Sequence, residues 1–466
     1  MIFCSLIFLF RFLPMVLLIY YAALWGIKKR NVTNFILFAA SIVFYAWGEP
    51  VYVILLLVSV LINYLSGRLI AVFPAKWAKF VIVMAVIINL SILGFYKYAD
   101  LLIEMTNKIT GHSVNLLHLE LPIGISFYTF QAMSYVIDVY RGNVRAEKNI
   151  INFGLYVSLF PQLIAGPVVR YVDIYKELGN RKENMQDFAS GIRFFIIGLS
   201  KKVLFANIIG ELFNQITSSN VKEIAFINAW IGIIAFTFQI YFDFSGYSDM
   251  AVGLGKMFGF HFCMNFNYPY ESVSISGFFR RWHISLGMWF KEYVYIPLGG
   301  SRQGKVKLIR NIMIVWLLTG LWHGASANFI IWGIYYGILI VAEKLWLKRY
   351  LDKMPSFISH FYTLIFVMIG WVIFAFDNIK TCAGYIGSMF MVNHNRFMDG
   401  ESLYLITTKA VLIFLLILGS TSIPKRLSEK IRFRGIFEPV FLMMLFLLCI
   451  SCLVNDSYNP FLYFRF

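Results

Sequence analysis

Charge is what this chain has least of. Only 14% of its 466 residues are Asp, Glu, Lys or Arg, where a soluble globular domain carries roughly 25%. Acidic residues are the scarcest, 24 against 41 Lys and Arg. Cysteine is nearly absent too. Cys4, Cys263, Cys382, Cys449 and Cys452 make no disulfide framework. The C-x-x-C of Cys449 and Cys452 lies in an apolar helix without other ligands, so both read as packing residues and no metal site is expected. There is no P-loop and no dinucleotide fingerprint, which leaves ATP-driven transport unsupported. No G-x-S-x-G occurs, and GYS at Gly246 lacks the closing glycine of a nucleophile elbow.

What remains is apolar. AVILMFWYC residues make up 59% of the chain, with 47 Phe and 27 Tyr suited to lipid-facing surface and interfacial belts. The chain reads as an all-α, polytopic membrane protein. The net charge of +17 does not mark a nucleic-acid binder, because the cations sit in loops between apolar runs, the positive-inside pattern. The first run, 2–25, ends in Lys28-Lys29-Arg30 with no small-residue cleavage site before it. It reads as a retained helix with the N-terminus outside. Runs 33–47, 51–65 and 80–96 then alternate across the membrane, 100–120 forms an external loop with a short surface helix, and 122–140 returns.

Segment 150–169 breaks the alternation, since cations flank it on both sides and FPQLIAGP (160–167) holds two prolines and a glycine. Re-entry keeps both basic clusters inside and is favoured over spanning; such backbone survives at membrane depth only when buried in protein or lining a cavity. Run 188–209 crosses with Lys201 and Lys202 at its middle, either snorkelling or facing a polar interior. Run 225–242 returns, and 243–309 lies on or dips into the cytoplasmic face. After a hairpin at 311–342, runs 361–376, 409–423 and 437–454 finish about ten crossings plus two re-entrant pieces. The expected divisions are N-terminal helices (1–149), a core with the re-entrant segments (150–342) and C-terminal helices (343–466) of one membrane domain.

His323 is the residue that stands out. It lies in LTGLWHGAS (318–326), the only readily ionisable side chain among the 32 residues between Arg310 and Glu343. A polar group there is costly, and ionisable residues inside a membrane are functional candidates by default. Both ends of the run carry cations, so it is expected to enter and come back with His323 near its deep tip, Gly320 and Gly324 giving the backbone its freedom. The plainer alternative is a kinked packing segment whose histidine bonds a carbonyl. Three other stretches concentrate polar residues. In DFSGYSD (243–249), Asp243, Ser245 and Asp249 either coordinate a cation or, the preferred reading, Asp249 or Ser248 caps the next helix. In FFRRWHISLGMWFKEYVYIPLGG (278–300), His283 follows Arg280 and Arg281, with Trp282 and Trp289 beside it. That is either a surface helix held at the headgroups or a second site histidine with cations engaging an anionic donor. The tail YNPFLYFRF (458–466) has no role that physics supplies.

LPIGISFYTFQAMSYVIDVYRG (121–142), FPQLIAGPVVR (160–170), DFSGYSDMAVGLGKMFGF (243–260), RRWHISLGMWFKEYVYIPLGG (280–300) and LTGLWHGAS, in this order, resemble the membrane-bound O-acyltransferase family, nearest its bacterial alginate O-acetyltransferase branch. The resemblance implies an all-helical fold with re-entrant or interfacial helices around a central tunnel, in the bacterial cytoplasmic membrane. It implies that the family's invariant histidine matches His323 and the branch's second signature position matches His283. It implies a cytoplasmic thioester donor, acetyl-CoA, with no tightly bound cofactor, and delivery to an extracytoplasmic polysaccharide acceptor or partner acetyltransferase. Arg280, Arg281, Trp282, Asp243, Ser245 and Trp322 are then candidate donor- or substrate-binding residues. Beside this, desolvation favours a neutral imidazole, which can take a proton from an attacking hydroxyl or be acylated itself. The cations Arg280, Arg281, Lys291, Arg302, Lys305 and Lys307 either hold the phosphates of coenzyme A or express positive-inside bias alone. The alternatives are a D-alanyl transferase for teichoic acids using a carrier-protein thioester, and a proton-coupled transporter or flippase.

Overall fold

A computed structural model describes residues 1–164, 166–430, 435 and 437–455. The tail 458–466 lies outside them. Every regular element among the described residues is a helix, and none is a strand. Nine of their helices are long and apolar enough to cross a membrane, from Phe8–Gly26 to Phe437–Asn455. Ile125–Tyr140, with 16 residues, adds a helix of roughly 24 Å. The chain is a multi-pass membrane protein. Two compact units share it: Met1–Phe195 with Tyr247–Cys263, and Ile196–Gly246 with Met264–Phe466.

In the first unit the proline-rich segment is broken, as its composition demands. Ile150–Ser158 has nine residues, roughly 14 Å, and Phe160–Leu163 follows after a non-helical Leu159. Neither piece spans a ~30 Å hydrocarbon core. The groups freed by the break find partners: Phe160 N donates to Ser41 Oγ at 3.0 Å and Gln162 Nε2 donates to the Tyr156 carbonyl at 2.5 Å. That satisfaction is what irregular backbone inside a membrane requires. At the end of the first two helices, buried Arg181 donates to Asn34 Oδ1 (2.6 Å), the Phe258 carbonyl (3.0 Å) and Tyr20 Oη (2.9 Å), while Arg30 pairs with Glu183 at 2.5 Å. The loop expected at 100–120 is confined to 111–120, because 100–110 continues the preceding helix. Ala75–Thr110 runs 36 residues before Gly111 ends it in a left-handed turn, because no Pro or Gly cluster interrupts 97–110.

In the second unit the structure corrects the reading of DFSGYSD. The helix expected to end at 242 continues unbroken as Phe226–Met257, so Ser248 and Asp249 lie inside it and cap nothing. Gly246 is a packing residue: a Cβ there would lie 2.6 Å from the Gly198 carbonyl oxygen. This close approach sets the helix beside the π-helical turn Lys201–Asn207, and Lys202 Nζ reaches Asp243 Oδ1 at 2.7 Å with both side chains buried. Lys202 therefore faces the interior and does not snorkel.

The chain turns back after His323, and the returning helix, Ala327–Leu351, is long enough to cross a membrane. Lys305–His323 rises roughly 28 Å. The hairpin's glycines, however, serve packing rather than flexibility. Gly320 is helical, and a Cβ on it would collide with the Phe329 carbonyl, as one on Gly333 would with the Trp316 carbonyl. Gly324 is extended, a conformation open to any residue, but its face lies against the Phe329 ring. Small residues let the two backbones touch, the usual device of packed membrane helices. The tip is pinned by Ser326 Oγ donating to the Asp377 carbonyl (3.2 Å) and by Asn328 Nδ2 donating to the Phe376 carbonyl.

Removing one member of a buried ion pair leaves an uncompensated charge, a loss of about 3–5 kcal/mol, whereas apolar replacement of both is near neutral. Lys202→Met is therefore expected to lower the thermal midpoint of the detergent-solubilised protein sharply. Lys202→Met/Asp243→Leu is expected to recover most of it. Equal midpoints for the single and double variants would contradict the pairing.

Candidate active site

His323 ends its helix with 6% of its surface exposed. Aromatic rings surround it: Trp322 at 4.9 Å between centroids, Trp332 and Phe374 each at 5.1 Å, and Phe329 at 6.2 Å. The pinned tip and the glycine contact hold these rings in register, since Trp332 precedes Gly333 and Phe374 lies just before the carbonyl that Asn328 engages.

His283 is brought to the same place from a separate segment. It sits at 4% exposure before the helix Ile284–Phe290, in a left-handed conformation with φ of 47° that costs a non-glycine residue energy. Backbone bonds compel it: Ile284 N donates to the Asn265 carbonyl and Asn267 N to the Arg281 carbonyl, each at 3.0 Å. Asn265 Oδ1 accepts from Ser285 N (3.1 Å) and Ser285 Oγ (3.0 Å), and lies 3.1 Å from His283 Nδ1. A backbone N–H can only donate, so that atom is the amide oxygen, and His283 Nδ1 must carry the proton facing it. Nε2 is left as the ring's basic atom. The His283 ring is 5.9 Å from Trp322 and 4.7 Å from Phe244. One indole, Trp322, thus lies against both imidazoles. Burial pushes the His283 pKa down to about 3, so this ring is neutral at physiological pH.

The other candidates divide. Trp322 is in the site, and Phe244, between Asp243 and Ser245, touches His283; Asp243 itself engages Lys202 and buried Ser245 shares its helix. Trp282 is buried among Phe266 (5.0 Å), Phe278 (5.5 Å) and Trp371 (4.8 Å), and Trp289 is buried as well. The surface-helix expectation for 278–300 fails for that reason: the stretch is helical over Ile284–Phe290 and on through Lys291–Tyr295, but both tryptophans are buried. Arg280 is exposed and bonds the Ser276 carbonyl, while Arg281 lies 3.6 Å from Glu271. Neither arginine meets the histidines through these bonds. Lys291, Arg302, Lys305 and Lys307 are all exposed.

Three participants were missed. Asn265 carries no sequence signal. Trp332 looked like one more aromatic of an apolar helix. Glu343 was read only as the end of a run, yet its buried carboxylate accepts Ile275 N (2.6 Å) and Ser276 N (2.8 Å), tying the hairpin's return arm to the segment that leads into His283. An acid directly closing a long apolar run was the available clue.

The model of the membrane-bound O-acyltransferase family matches residues 143–384, which include both histidines. A probable alginate O-acetylase of Pseudomonas putida is 37% identical over all of both chains. The chain belongs to the membrane-bound O-acyltransferase family. It is an acyltransferase, which sets the transporter reading aside. A peptidoglycan O-acetyltransferase of Helicobacter pylori is 32% identical over 97% of this chain and 89% of its own. A teichoic acid D-alanyltransferase of Bacillus subtilis is 29% identical over 54% of this chain and 68% of its own.

A neutral buried histidine has a pH signature. Between about 6.5, its ordinary value, and about 3, the unfolded chain binds a proton at His283 that the folded chain does not. Stability is therefore expected to fall as pH drops below about 6.5, by at most about 1.4 kcal/mol per pH unit from this group. His283→Asn should flatten that decline in thermal midpoints measured from pH 7 to pH 4.5. Parallel curves for the two proteins would refute the assignment.

Proposed function

We propose that this acyltransferase takes an acetyl group from acetyl-CoA at the cytoplasmic face and passes it across the membrane for O-acetylation of an exopolysaccharide or cell-wall polysaccharide. The observation that carries the reading is the end-to-end match with a probable alginate O-acetylase, joined by a nearly full-length match with a peptidoglycan O-acetyltransferase. The D-alanyltransferase likeness covers only about half of the chain and makes that the weaker alternative.

In this reading His323 is the base. Its imidazole takes the proton of an acceptor hydroxyl as that oxygen bonds to the thioester carbonyl carbon. The carbonyl becomes a tetrahedral oxyanion, the C–S bond breaks as the carbonyl re-forms, and the proton passes from the imidazolium to the departing thiolate. The products are the O-acetyl ester and free thiol. An acyl-histidine route passes through the same kind of oxyanion. His283, its Nδ1–H directed to Asn265, offers Nε2 as a hydrogen-bond acceptor for a hydroxyl. The exposed cations before the His323 helix suit a polyphosphate donor entering from the cytoplasm. The acceptor is an extracytoplasmic polysaccharide or a partner acetyltransferase, and the N-terminus faces outside the cytoplasmic membrane.

Purified protein is expected to release thiol from acetyl-CoA when alginate oligomers or peptidoglycan fragments are supplied. His323→Ala should reduce release at least 100-fold without loss of folding, and His283→Ala should leave partial turnover. Thiol release untouched by His323→Ala would overturn the base assignment. For topology, Gln303→Cys in a background without native cysteines should react with impermeant maleimide only from the cytoplasmic side. Labelling from outside would reverse the orientation.

A further inference from the structure

The reaction proposed above creates negative charge on the acyl oxygen, and a base alone does not stabilise it. Trp332 is 2% exposed, and its Nε1–H has no hydrogen-bond partner among the described residues. An indole N–H can only donate, and a buried donor left unsatisfied is a cost that native structures rarely carry. The rings packed on Trp332 include Phe279 (6.1 Å), Trp316 (5.8 Å), Phe374 (5.6 Å) and Tyr336 (5.0 Å), so apolar faces enclose it on several sides. His323 is a further ring neighbour, 5.1 Å away at 77°. Tyr336 Oη is engaged elsewhere, donating to the Val367 carbonyl at 3.2 Å.

The position of this indole is fixed more firmly than packing alone requires. Trp332 directly precedes Gly333, whose contact with the His323 helix admits no side chain, and one turn earlier Asn328 is tied to the Phe376 carbonyl. A donor is useful to a developing charge only if it is held in place beforehand, in a site from which water is excluded.

We infer that Trp332 is a catalytic residue whose Nε1–H donates to the oxygen of the acyl carbonyl as it becomes an oxyanion beside His323. The inference rests on the reading of His323 as the base acting on a thioester. The bond changes are those of that reaction. The indole proton stays on nitrogen throughout, and its hydrogen bond is strongest when the carbonyl oxygen carries the charge, before the C–S bond breaks and the carbonyl returns. Direct transfer and an acyl-histidine route need the same donor.

The test removes the N–H and keeps the ring. Trp332→Phe, and Trp332→benzothienylalanine introduced by codon expansion as the nearer isostere, are compared with wild type in thiol release from acetyl-CoA. Removing one such donor typically lowers kcat on the order of 10²-fold. The expected result is a fall of that order for both variants, with KM within about twofold and, for the isostere, an unchanged thermal midpoint. A donor needed only for structure would instead lower the midpoint and spare kcat. As a second readout, the infrared carbonyl band of bound [1-13C]acetyl-CoA should move to higher frequency in the isostere relative to wild type. An isostere that matches wild type in both kcat and carbonyl frequency overturns the inference while leaving His323 as base. A wild type that releases no thiol from acetyl-CoA defeats the donor reading first and takes this inference with it.

Discussion

Two backbones touching inside an apolar bundle are what the candidate site depends on. Where Gly320 meets Phe329 and Gly333 meets Trp316, the absence of side chains brings the hairpin's two helices to their closest possible spacing. Hydrophobic transfer gives little drive for such contact within a membrane, where lipid tails are as apolar as the side chains; dispersion and shape complementarity supply it. The consequence is positional. His323 at the end of one helix and Trp332 on the other acquire a fixed separation, and the tip bonds to Phe376 and Asp377 bring Phe374 alongside.

The second constraint is polar satisfaction. Several charged and hydrogen-bonding groups carried into this apolar setting have identifiable partners. Lys202 meets Asp243, Glu343 meets two backbone N–H groups, and the break at Leu159 is answered by Ser41 and Gln162. These are not decorations on a hydrophobic fold. A buried polar group without a partner costs about 1–3 kcal/mol or more, a sizeable part of a typical protein's net stability. Against that background, the buried indole donor of Trp332 carries information because its ring lies against His323.

His283 shows how backbone strain and tautomer control are joined. A left-handed residue is maintained because bonds between 265–267 and 281–284 over-determine the turn, and the same asparagine that receives two Ser285 donors also orients the imidazole. The strained residue lies between the turn at 280–282 and the helix Ile284–Phe290, and both its ring and Trp282 are buried. Arg280, three residues before, is left exposed, and half-buried Arg281 faces Glu271.

Much was legible without coordinates. The all-helical membrane character follows from long apolar runs and scarce charge, since a continuous apolar run of such length satisfies its backbone in lipid as a helix, whereas barrel strands are short and alternate. The hairpin around His323 follows from cations at both ends of its run, and the broken helix at 159–163 from its prolines. What the chain could not disclose by pattern was whatever depends on partners distant in sequence. DFSGYSD read as a cap because Asp and Ser are good caps locally, yet Gly198 and Lys202 make it a mid-helix packing and pairing face. RRWHISLGMW read as a surface helix because Arg and Trp favour headgroups, yet contacts with Phe266, Trp371 and Asn265 draw it inward. Composition and periodicity determine which segments enter the membrane, because transfer energy is nearly additive along a chain. Which imidazole meets which ring was decided only by tertiary packing, because contact energies belong to pairs that the linear order does not name.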